Sequence, residues 1–363
     1  MSNPSRKMCT MRKVDKVTPI EGADRVEAIH VGGWIVVDQK NLWHGGDLCV
    51  YYEIDSFLPT DDKRYEFLAK FGEKDMVVKG VPRIGHVLRT RRFRGVYSQG
   101  LLLKPEVAFS NVPKHAYQEM YEKGACLDGL ANVCEYVPNN RPMSAGFIGK
   151  YDPHVAPRTD AERVQNIDND TFDMIKRADH FVSVKVDGTS TTICYDPRVN
   201  RMRCFSHNNE YDIETGLGKT TADAAMRQGI WQWCEEHPGM TVQAELCGPK
   251  IQNNRLKLKE HTLYVFSMWN MNIRCYVDPY LTALKHLCTP TYDIDISEMT
   301  RDDIVSYVDG LKGNVVKGCL DEGIVIHVIG DGDLNWLERD KLRNALGQTM
   351  QVKVINNKFL LKS

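Results

Sequence analysis

The stretch Val182-Ser183-Val184-Lys185-Val186-Asp187-Gly188-Thr189-Ser190 decides how the rest of the chain is interpreted. Residues 181–184 are mostly apolar and predict a buried strand that delivers a lysine at its end. Burial disfavours an ammonium group, so this position favours the neutral amine that a lysine nucleophile needs. Asp187 points to the same side of an extended chain as Lys185, where its carboxylate can meet a metal ion or a ribose. Gly188 is expected to let the backbone turn tightly against a ligand.

This short pattern is weak by itself. A Lys-x-Asp-Gly sequence occurs by chance in about one chain in ten of this length. An exposed Asp-Gly turn after a strand is therefore the ordinary alternative, and the interpretation depends on the other stretches.

The composition is that of an ordinary folded protein. Its 363 residues are enough for two domains with a real core. No apolar run approaches the roughly 20 residues that span a bilayer, and the basic N-terminus lacks the apolar segment of a secretory signal, so no membrane association is expected. The eleven cysteines show no Cys-x-x-Cys spacing. They favour reduced thiols in an intracellular compartment, the cytoplasm or the nucleus, over disulfides or a zinc site.

The N-terminal third predicts a small β-barrel. Short β-like runs alternate with turn signals such as Gly32-Gly33 and His44-Gly45-Gly46-Asp47. The runs expected to be strands are Arg25 to His30, Trp34 to Asp38, Asp47 to Glu53, His86 to Thr90 and Gly100 to Leu103. Strands at this spacing indicate a five-stranded barrel of the OB type. A helical stretch from Ala116 to Val133 and an irregular connection follow, which places a domain boundary near 150 and predicts domains 1–150 and 151–363.

The segment from Arg83 to Gly100 is the candidate nucleic-acid surface of this barrel. Five arginines interleave there with Phe93 and Tyr97. Guanidinium groups bind phosphates and aromatic rings stack on bases, and the whole chain carries a net charge of only −1, so a local basic face is required. The alternative is a solvated basic hairpin with both rings in the core. The candidate nucleic-acid ligands are Arg89, Arg91, Arg92 and Arg94.

The C-terminal two thirds predict antiparallel sheets flanked by helices. Thr159 and Glu162 form a helix-start signal. Expected strands are Phe181 to Lys185, Thr191 to Tyr195, Met202 to Ser206, Thr241 to Leu246, Leu263 to Met268, Gly323 to Val328 and Gln351 to Ile355. Expected helices are Thr220 to Glu236, Pro279 to Leu287, Glu298 to Leu311 and Leu334 to Leu346. The Asp-Gly and Asp-Pro turns between the strands favour a meander over a doubly wound sheet, so the fold class is α+β.

Several stretches, taken together and in order, resemble the motifs of the covalent nucleotidyltransferases, the superfamily of ATP-dependent ligases and mRNA capping enzymes. The matching stretches are Lys185-Val186-Asp187-Gly188 (motif I), Phe205-Ser206-His207-Asn208 (Ia), Ala244-Glu245-Leu246-Cys247-Gly248-Pro249-Lys250-Ile251-Gln252-Asn253-Asn254 (III), Tyr264-Val265-Phe266-Ser267-Met268-Trp269 (IIIa), Glu322-Gly323-Ile324-Val325-Ile326 (IV) and Gln351-Val352-Lys353-Val354 (V). The motif III stretch is particularly similar to RNA ligases. A barrel before the catalytic domain and an end soon after motif V resemble the Naegleria-type RNA ligases.

The resemblance implies three chemical steps and assigns residues to them. A lysine attacks the α-phosphate of ATP, AMP passes to an RNA 5′-phosphate, and a 3′-hydroxyl displaces AMP. Lys185 is the implied nucleophile, and Lys353 is implied to neutralise the α-phosphate. Nucleotide contacts are implied for Lys185, Arg163, Glu245, Phe266, Glu322 and Lys353. Carboxylates converging beside a lysine can also hold a hydrated Mg²⁺ or Mn²⁺. Asp187, Glu245 and Glu322 are the residues expected to do so.

Ordinary structural roles compete with these assignments. Each acid alone could be a turn or N-cap residue, Arg163 could form a helix salt bridge, and Phe266 or its alternative Trp269 could be a core aromatic. Two residues also depart from the family pattern. Motif V often has a lysine where Gln351 stands, and motif Ia often has an arginine where His207 stands.

The sequence thus predicts a monomeric ATP-dependent RNA ligase that seals 5′-phosphate and 3′-hydroxyl ends in RNA repair, with a separate kinase or phosphatase as a partner if ends need healing. A DNA ligase and a capping guanylyltransferase are alternatives, but both typically carry the OB domain after motif V. A non-catalytic RNA-binding protein of the same fold is the alternative from another class.

Overall fold

The computed structural model describes residues 6–78, 80–137 and 146–361. The chain separates into two compact units. The first holds the described residues before 138, Gln165–Asp168 and residues 360–361, and the second holds 146–164 and Asn169–Phe359.

The first unit is built from short antiparallel strands. Its strands are β1 (Cys9–Lys13), β2 (Lys16–Pro19), β3 (Val26–Val31), β4 (Trp34–Gln39), β5 (Leu48–Tyr52), β6 (Ser56–Pro59), β7 (Lys74–Val78), β8 (Val81–Val87), β9 (Arg91–Phe93), β10 (Val96–Ser98), β11 (Leu101–Leu103) and β12 (Cys134–Glu135). A 3-10 helix, Lys63–Phe71, follows β6, and helices α1 (Pro105–Ala108), α2 (His115–Glu122) and α3 (Asp128–Ala131) follow β11. The sheet orders are β1-β5-β11, β2-β3-β4, β12-β6-β8-β7 and β9-β10.

Aromatic side chains form much of this unit's core. The core includes four aromatic residues that are each at most 2% exposed: Trp34, Trp43, Tyr51 and Phe57. The strands expected around Trp34 to Asp38 and Asp47 to Glu53 are present as β4 and β5. The strand expected from His86 to Thr90 is wrong in extent: β8 begins at Val81 and ends at Val87, because residues 81–85 pair with β7 in a long hairpin.

The second unit contains the sequence's predicted meander. Its strands are β13 (Phe147–Lys150), β14 (Glu162–Arg163), β15 (His180–Lys185), β16 (Thr189–Asp196), β17 (Arg201–Ser206), β18 (Asn209–Tyr211), β19 (Met240–Cys247), β20 (Thr262–Asn270), β21 (Cys275–Val277), β22 (Gly323–Val328) and β23 (Gln351–Ile355). Its helices are α4 (Asn169–Arg177), α5 (Gly216–Arg227), α6 (Ile230–Glu236), α7 (Arg301–Val308), α8 (Trp336–Leu346) and α9 (Asn357–Leu360), with 3-10 turns at Val164–Asn166, Pro279–Leu281, Ala283–Leu287 and Gly347–Thr349.

These strands form two sheets. A seven-stranded antiparallel sheet has the order β13-β18-β17-β16-β19-β20-β21, and a four-stranded sheet has the order β14-β23-β22-β15. In the smaller sheet only the short strand β14 runs parallel to its neighbour β23. Apolar side chains such as Ile193, Val242 and Val265 are fully buried on one side of the larger sheet. A smaller apolar cluster of Tyr151, Val155, Cys194 and Phe205 is buried on the opposite face.

Three predicted helices differ from the structure. The helix-start signal at Thr159 leads into strand β14, because the backbone of Glu162 and Arg163 pairs with β23. The helix expected from Thr220 to Glu236 is two helices, broken at Gly229, whose φ is +78°. The helix expected from Pro279 to Leu287 is two 3-10 turns, since Thr282 is extended and its hydroxyl caps Leu284 N at 3.2 Å.

Among the described residues, no helix is both long and apolar enough to cross a membrane. All eleven cysteines lie in the described ranges, and all are free thiols.

Candidate active site

Strand β15 carries Lys185 to one end of the four-stranded sheet. Val182 and Val184 are buried on one face of β15, so the alternating residues Ser183 and Lys185 lie on the other. Lys185 pairs in register with Gly323, and its Nζ lies 2.7 Å from Oε2 of the preceding Glu322. A quarter of the lysine side chain remains accessible. The register of the two strands therefore forms the lysine–glutamate pair.

Two further carboxylates surround this pair. Burial raises the pKa of Glu245, on β19, to about 8; repulsion from Glu322 and Asp187 adds to the effect and Lys185 opposes it. Burial and repulsion from Glu322 likewise raise the pKa of Asp187 to about 6. Glu245 is therefore largely protonated at neutral pH, and the site brings together more carboxyl groups than its own lysine can pair.

This charge corrects one expectation about the lysine. Burial does disfavour the ammonium of Lys185, as the sequence predicts, but Glu322, Glu245 and Asp187 outweigh it and raise the pKa of Lys185 above its ordinary value. Without a nucleotide or a cation the amine is held protonated. The expected activation of Lys185 therefore requires compensation of these carboxylates.

Gly188 is needed for a reason other than the expected turn against a ligand. A Cβ on this residue would lie 2.4 Å from the Leu246 carbonyl oxygen and 2.9 Å from Cγ of Glu245. The backbone after motif I therefore packs directly against β19. This close packing brings the motif I aspartate and the motif III glutamate together.

The loop after β19, which begins within the motif III stretch and continues to Lys257, also contacts motif I. Four residues that are not glycine have positive φ in it: Lys250 (+65°), Gln252 (+46°), Asn254 (+43°) and Lys257 (+54°). Within this loop Gln252 donates to the Gly188 carbonyl at 3.0 Å, and Arg255 Nε lies 3.7 Å from Asp187 Oδ2. The Arg255 guanidinium lies 4.0 Å from the centre of the Phe359 ring. No sequence pattern predicted this cluster of residues with positive φ.

Lys353 and Arg163 lie on the same face as Lys185. Lys353 on β23 pairs with Val325 of β22, and Val325 pairs with Ser183 of β15. On the other edge of β23, Lys353 pairs with Arg163 of β14. Neighbours in register share a face, so the three basic residues project to one side of the sheet. Arg163 is only 8% exposed.

The two candidate aromatics differ in their surroundings. Trp269 is buried and meets Tyr276 edge to face with ring centres 4.9 Å apart, as a core residue does. Phe266 is half-buried next to a bulge where β19 and β20 shift register. Phe266 therefore remains the candidate base-stacking residue.

The departure at Gln351 has a structural explanation. Gln351 is buried and donates to Nδ1 of His327 at 3.2 Å, and Nε2 of His327 lies 2.8 Å from Oγ of Ser183. Phe181 stacks on the His327 ring at 4.4 Å. Burial lowers the pKa of His327 to about 3, so the histidine is neutral. A lysine at 351 would place an unpaired charge inside this neutral cluster.

The departure at His207 is also accounted for. Its Nε2 lies 2.9 Å from Oδ1 of Asp160, three residues before Arg163. This hydrogen bond raises the pKa of His207 against the opposing effect of burial. The histidine therefore fastens the segment that leads into β14.

The four candidate arginines of the first unit are not equivalent. Arg89 forms a short ion pair with Asp55 and lies over the Tyr136 ring, so it serves the fold. Arg91, Arg92 and Arg94 are exposed on β9 and its turn, although Arg92 also lies 5.3 Å from the centre of the Tyr97 ring.

In the described part of the chain, no three His, Cys, Asp or Glu side chains are placed to hold a metal ion directly. The excess negative charge of Asp187, Glu245 and Glu322 nevertheless fits a cation that keeps its water shell, as magnesium commonly does.

Comparison with known proteins identifies both units. Residues 8–105 match an OB-fold domain family, and residues 179–353 match the RNA ligase family. Solved structures of Naegleria gruberi RNA ligase are similar over 98–99% of both chains. A variant with AMP and Mn superposes with TM-score 0.79 at 26% identity, a variant with ATP and Mn with 0.78 at 26%, and the enzyme with pyrophosphate with 0.78 at 27%. No curated protein sequence matches the chain.

Proposed function

The chain belongs to the RNA ligases that carry an OB-fold domain ahead of the ligase domain, and we propose that it uses ATP to join RNA 5′-phosphate and 3′-hydroxyl ends. One observation carries the proposal: Lys185 Nζ lies 2.7 Å from Glu322 inside a cluster with two more carboxylates. The half-buried lysine, the pocket that lacks positive charge beside its carboxylates, and the chemistry of the family all support this reaction.

The reaction balances as two transfers of the adenylyl group followed by one displacement of AMP. The neutral amine of Lys185 attacks the α-phosphorus of ATP, and a P–N bond forms as the bond to pyrophosphate breaks. An oxygen of the RNA 5′-phosphate then takes the AMP and releases the lysine. Finally the 3′-hydroxyl attacks that phosphate, and AMP leaves as the phosphodiester forms.

The residues around Lys185 control its proton. Asp187, Glu245 and Glu322 would hold a hydrated Mg²⁺ or Mn²⁺, which when bound neutralises charge on the α-phosphate. Once their charge is compensated, the three carboxylates no longer hold the lysine protonated, and Lys185 loses its proton more readily. The same carboxylates thus suppress the nucleophile until ligands are present.

The remaining site residues would hold the nucleotide. Lys353 and Arg163, which share a sheet face with Lys185, would offset phosphate charge. Phe266 would stack on adenine. For the RNA, the OB-fold domain (1–150) would supply its exposed arginines, and 151–363 would form the adenylyltransferase domain. We further propose a monomer that acts in RNA repair inside the cell, where thiols stay reduced, with a separate kinase or phosphatase where ends need healing.

Adenylylation with α-labelled ATP and Mg²⁺, followed by denaturing electrophoresis, tests the proposal. Wild type is expected to retain label and Lys185→Met to lose it. Lys219→Met is the matched control, because Lys219 is an exposed helix residue paired with Asp223 at 3.0 Å. Label on Lys185→Met would show that another residue is the nucleophile.

The competing activities are separated by substrate. Label from GTP rather than ATP would indicate capping, and joining of DNA nicks but not RNA nicks would indicate a DNA ligase. RNA binding without label from either nucleotide would favour a non-catalytic protein.

A further inference from the structure

A cleft of about 640 Å³ opens on the OB-fold domain and is lined by residues 24–26, 37–41, 70, 71 and 93. Three elements form it: the start of β3 and end of β4, the end of the Lys63–Phe71 helix, and the β9–β10 hairpin. A smaller cleft of about 280 Å³ shares its wall at 24–26 and is lined by Arg94.

Two phenylalanines line the larger cleft, and both are exposed to solvent. Phe71 is 54% exposed and Phe93 is 44% exposed, although both belong to regular elements of a domain with an aromatic core. An exposed aromatic ring costs hydration free energy unless it has a partner. Their shared cleft therefore indicates a ligand with flat apolar faces.

Basic side chains accompany these rings. Arg25, Lys40 and Lys70 line the same cleft, and the Lys70 ammonium lies 5.1 Å from the centre of the Phe71 ring. Arg94 extends the basic surface, with Nη1 3.1 Å from the position that a Cβ on Gly22 would take. Rings for bases and cations for phosphates are the combination that binds single-stranded nucleic acid.

The acidic side chains of the cleft do not cancel this charge. Asp38 accepts hydrogen bonds from the Trp43 indole N–H at 2.8 Å and the Gln39 backbone N–H at 2.7 Å. These neutral donors leave its charge in place, but Arg25, Lys40 and Lys70 outnumber the two carboxylates that line the cleft. Asp24 is the other acidic lining residue. A carboxylate in the wall of the cleft can accept a hydrogen bond from a base amino group or from a ribose 2′-hydroxyl.

We propose that this cleft binds unpaired nucleobases of the RNA substrate, stacked on Phe71 and Phe93, with Arg25, Lys40 and Lys70 against the adjoining phosphates. The proposal rests on the proposed RNA ligase function and adds a substrate feature to it: a single-stranded segment bound by the OB-fold domain. Duplex RNA, whose bases are already stacked and paired, would not use the cleft.

Binding of the full-length protein to a fluorescent single-stranded 12-mer RNA tests this inference. Phe71→Ala and Phe93→Ala are each expected to weaken binding about 5- to 150-fold, the effect of losing one base–aromatic stack of roughly 1–3 kcal/mol. Phe71→Tyr should restore it. Phe67→Ala is the matched control, since Phe67 is 48% exposed on the same helix but does not line the cleft.

Two further probes isolate stacking from charge. A 12-mer with abasic sites keeps its phosphates, so the phenylalanine variants and wild type should bind it equally. A duplex of the same length should also show no difference between them. Unchanged binding of the intact single strand by both alanine variants, or an equal loss in Phe67→Ala, would overturn the proposal.

Lysyl-AMP formation separates this test from the proposed function. Phe71 and Phe93 lie outside the ligase domain, so their variants are expected to be labelled by ATP like wild type. Wild type that takes no label would refute the ligase function while leaving the binding result to stand by itself. Labelled variants with normal single-strand binding would refute only the cleft.

Discussion

The ligase domain contains two clusters of ionised side chains, and they differ in how their charges are matched. In the first, three arginines meet three carboxylates at 2.6–2.9 Å: Arg198, Arg201 and Arg203 with Asp152, Asp196 and Glu210. Although burial opposes it, hydrogen bonds from Arg198 and Arg203 lower the pKa of Asp196 to about 2. This cluster is complete without any ligand.

The second cluster is unbalanced. Two cations, Lys185 and Arg255, face the three carboxyl groups of Asp187, Glu245 and Glu322, and Arg255 lies 3.7 Å from Asp187. The pKa of Asp187 is raised to about 6 and that of Glu245 to about 8. A matched network stabilises a fold, whereas a buried excess of one sign costs stability unless a ligand supplies the opposite charge. The imbalance, more than the number of charges, distinguishes the active site from the structural network.

The largest expected effect comes from neutralising one acid in each cluster. Glu322→Gln should lower the rate of lysyl-AMP formation about 1,000-fold, or about 4 kcal/mol, because it removes a carboxylate that faces the proposed nucleophile Lys185 and the proposed metal site. Thermal stability should hold or rise, since the excess charge falls. Single-turnover labelling and a melting curve measure both.

The matched variant in the balanced cluster is Glu210→Gln. It is expected to keep adenylylation and lose stability, because Arg201 would lose its Glu210 ion pair and Arg203 would lose one of its three carboxylate partners. If Glu322→Gln instead destabilised the protein while Glu210→Gln abolished labelling, the two clusters would have the opposite roles.

Arg203→Met should have the next largest effect. Its side chain is 9% exposed and pairs with three carboxylates, so its loss leaves buried charge uncompensated and should cost about 3 kcal/mol of the free energy of unfolding. Urea denaturation measures this. Arg201→Met is the control, since Arg201 is 45% exposed and its loss should cost under about 1 kcal/mol. Equal losses would mean that burial does not distinguish the two pairs.

The sequence predicted the strand that carries Lys185, both later strands β22 and β23, and the residues that meet at their ends. These came from strong apolar alternation and from ordered motifs, which are local signals. The helix break at Gly229 and the 3-10 turns near Pro279 were missed because apolar spacing continues through them. The raised pKa of Lys185 was missed because it depends on three residues 2, 60 and 137 positions away, whose mutual distances no local pattern encodes.

Arg255 was missed for a similar reason, and its variant sharpens the comparison at the edge of the unbalanced cluster. Arg255→Lys should reduce adenylylation about 10- to 100-fold, as loss of a residue that orients a metal-site carboxylate commonly does. A lysine cannot lie flat over the Phe359 ring while directing a planar donor at Asp187. The apparent affinity for Mg²⁺ should weaken together with the rate.

Lys259→Ala is the control for Arg255, because Lys259 is an exposed lysine close to the same loop. It should leave both the rate and the Mg²⁺ dependence unchanged. An Arg255→Lys enzyme with lower activity but unaltered Mg²⁺ dependence would assign Arg255 to loop packing rather than to positioning Asp187.

The smallest expected effect concerns His327, which represents a third arrangement: a buried titratable group with no charge partner. Its folded pKa of about 3 lies below the unfolded value of 6.5, so between those values the unfolded chain binds the extra proton. Stability should therefore fall as pH drops below about 6.5, by at most about 1.4 kcal/mol per pH unit from this residue. His327→Gln should flatten that slope in urea denaturation at pH 7, 6 and 5. His207→Gln should change the slope in the opposite sense, because Asp160 raises the pKa of His207 and that contribution is lost as pH rises. A His327→Gln slope equal to wild type would place the protonation elsewhere, and the neutral Gln351–His327–Ser183 cluster would no longer explain why a lysine is absent at 351.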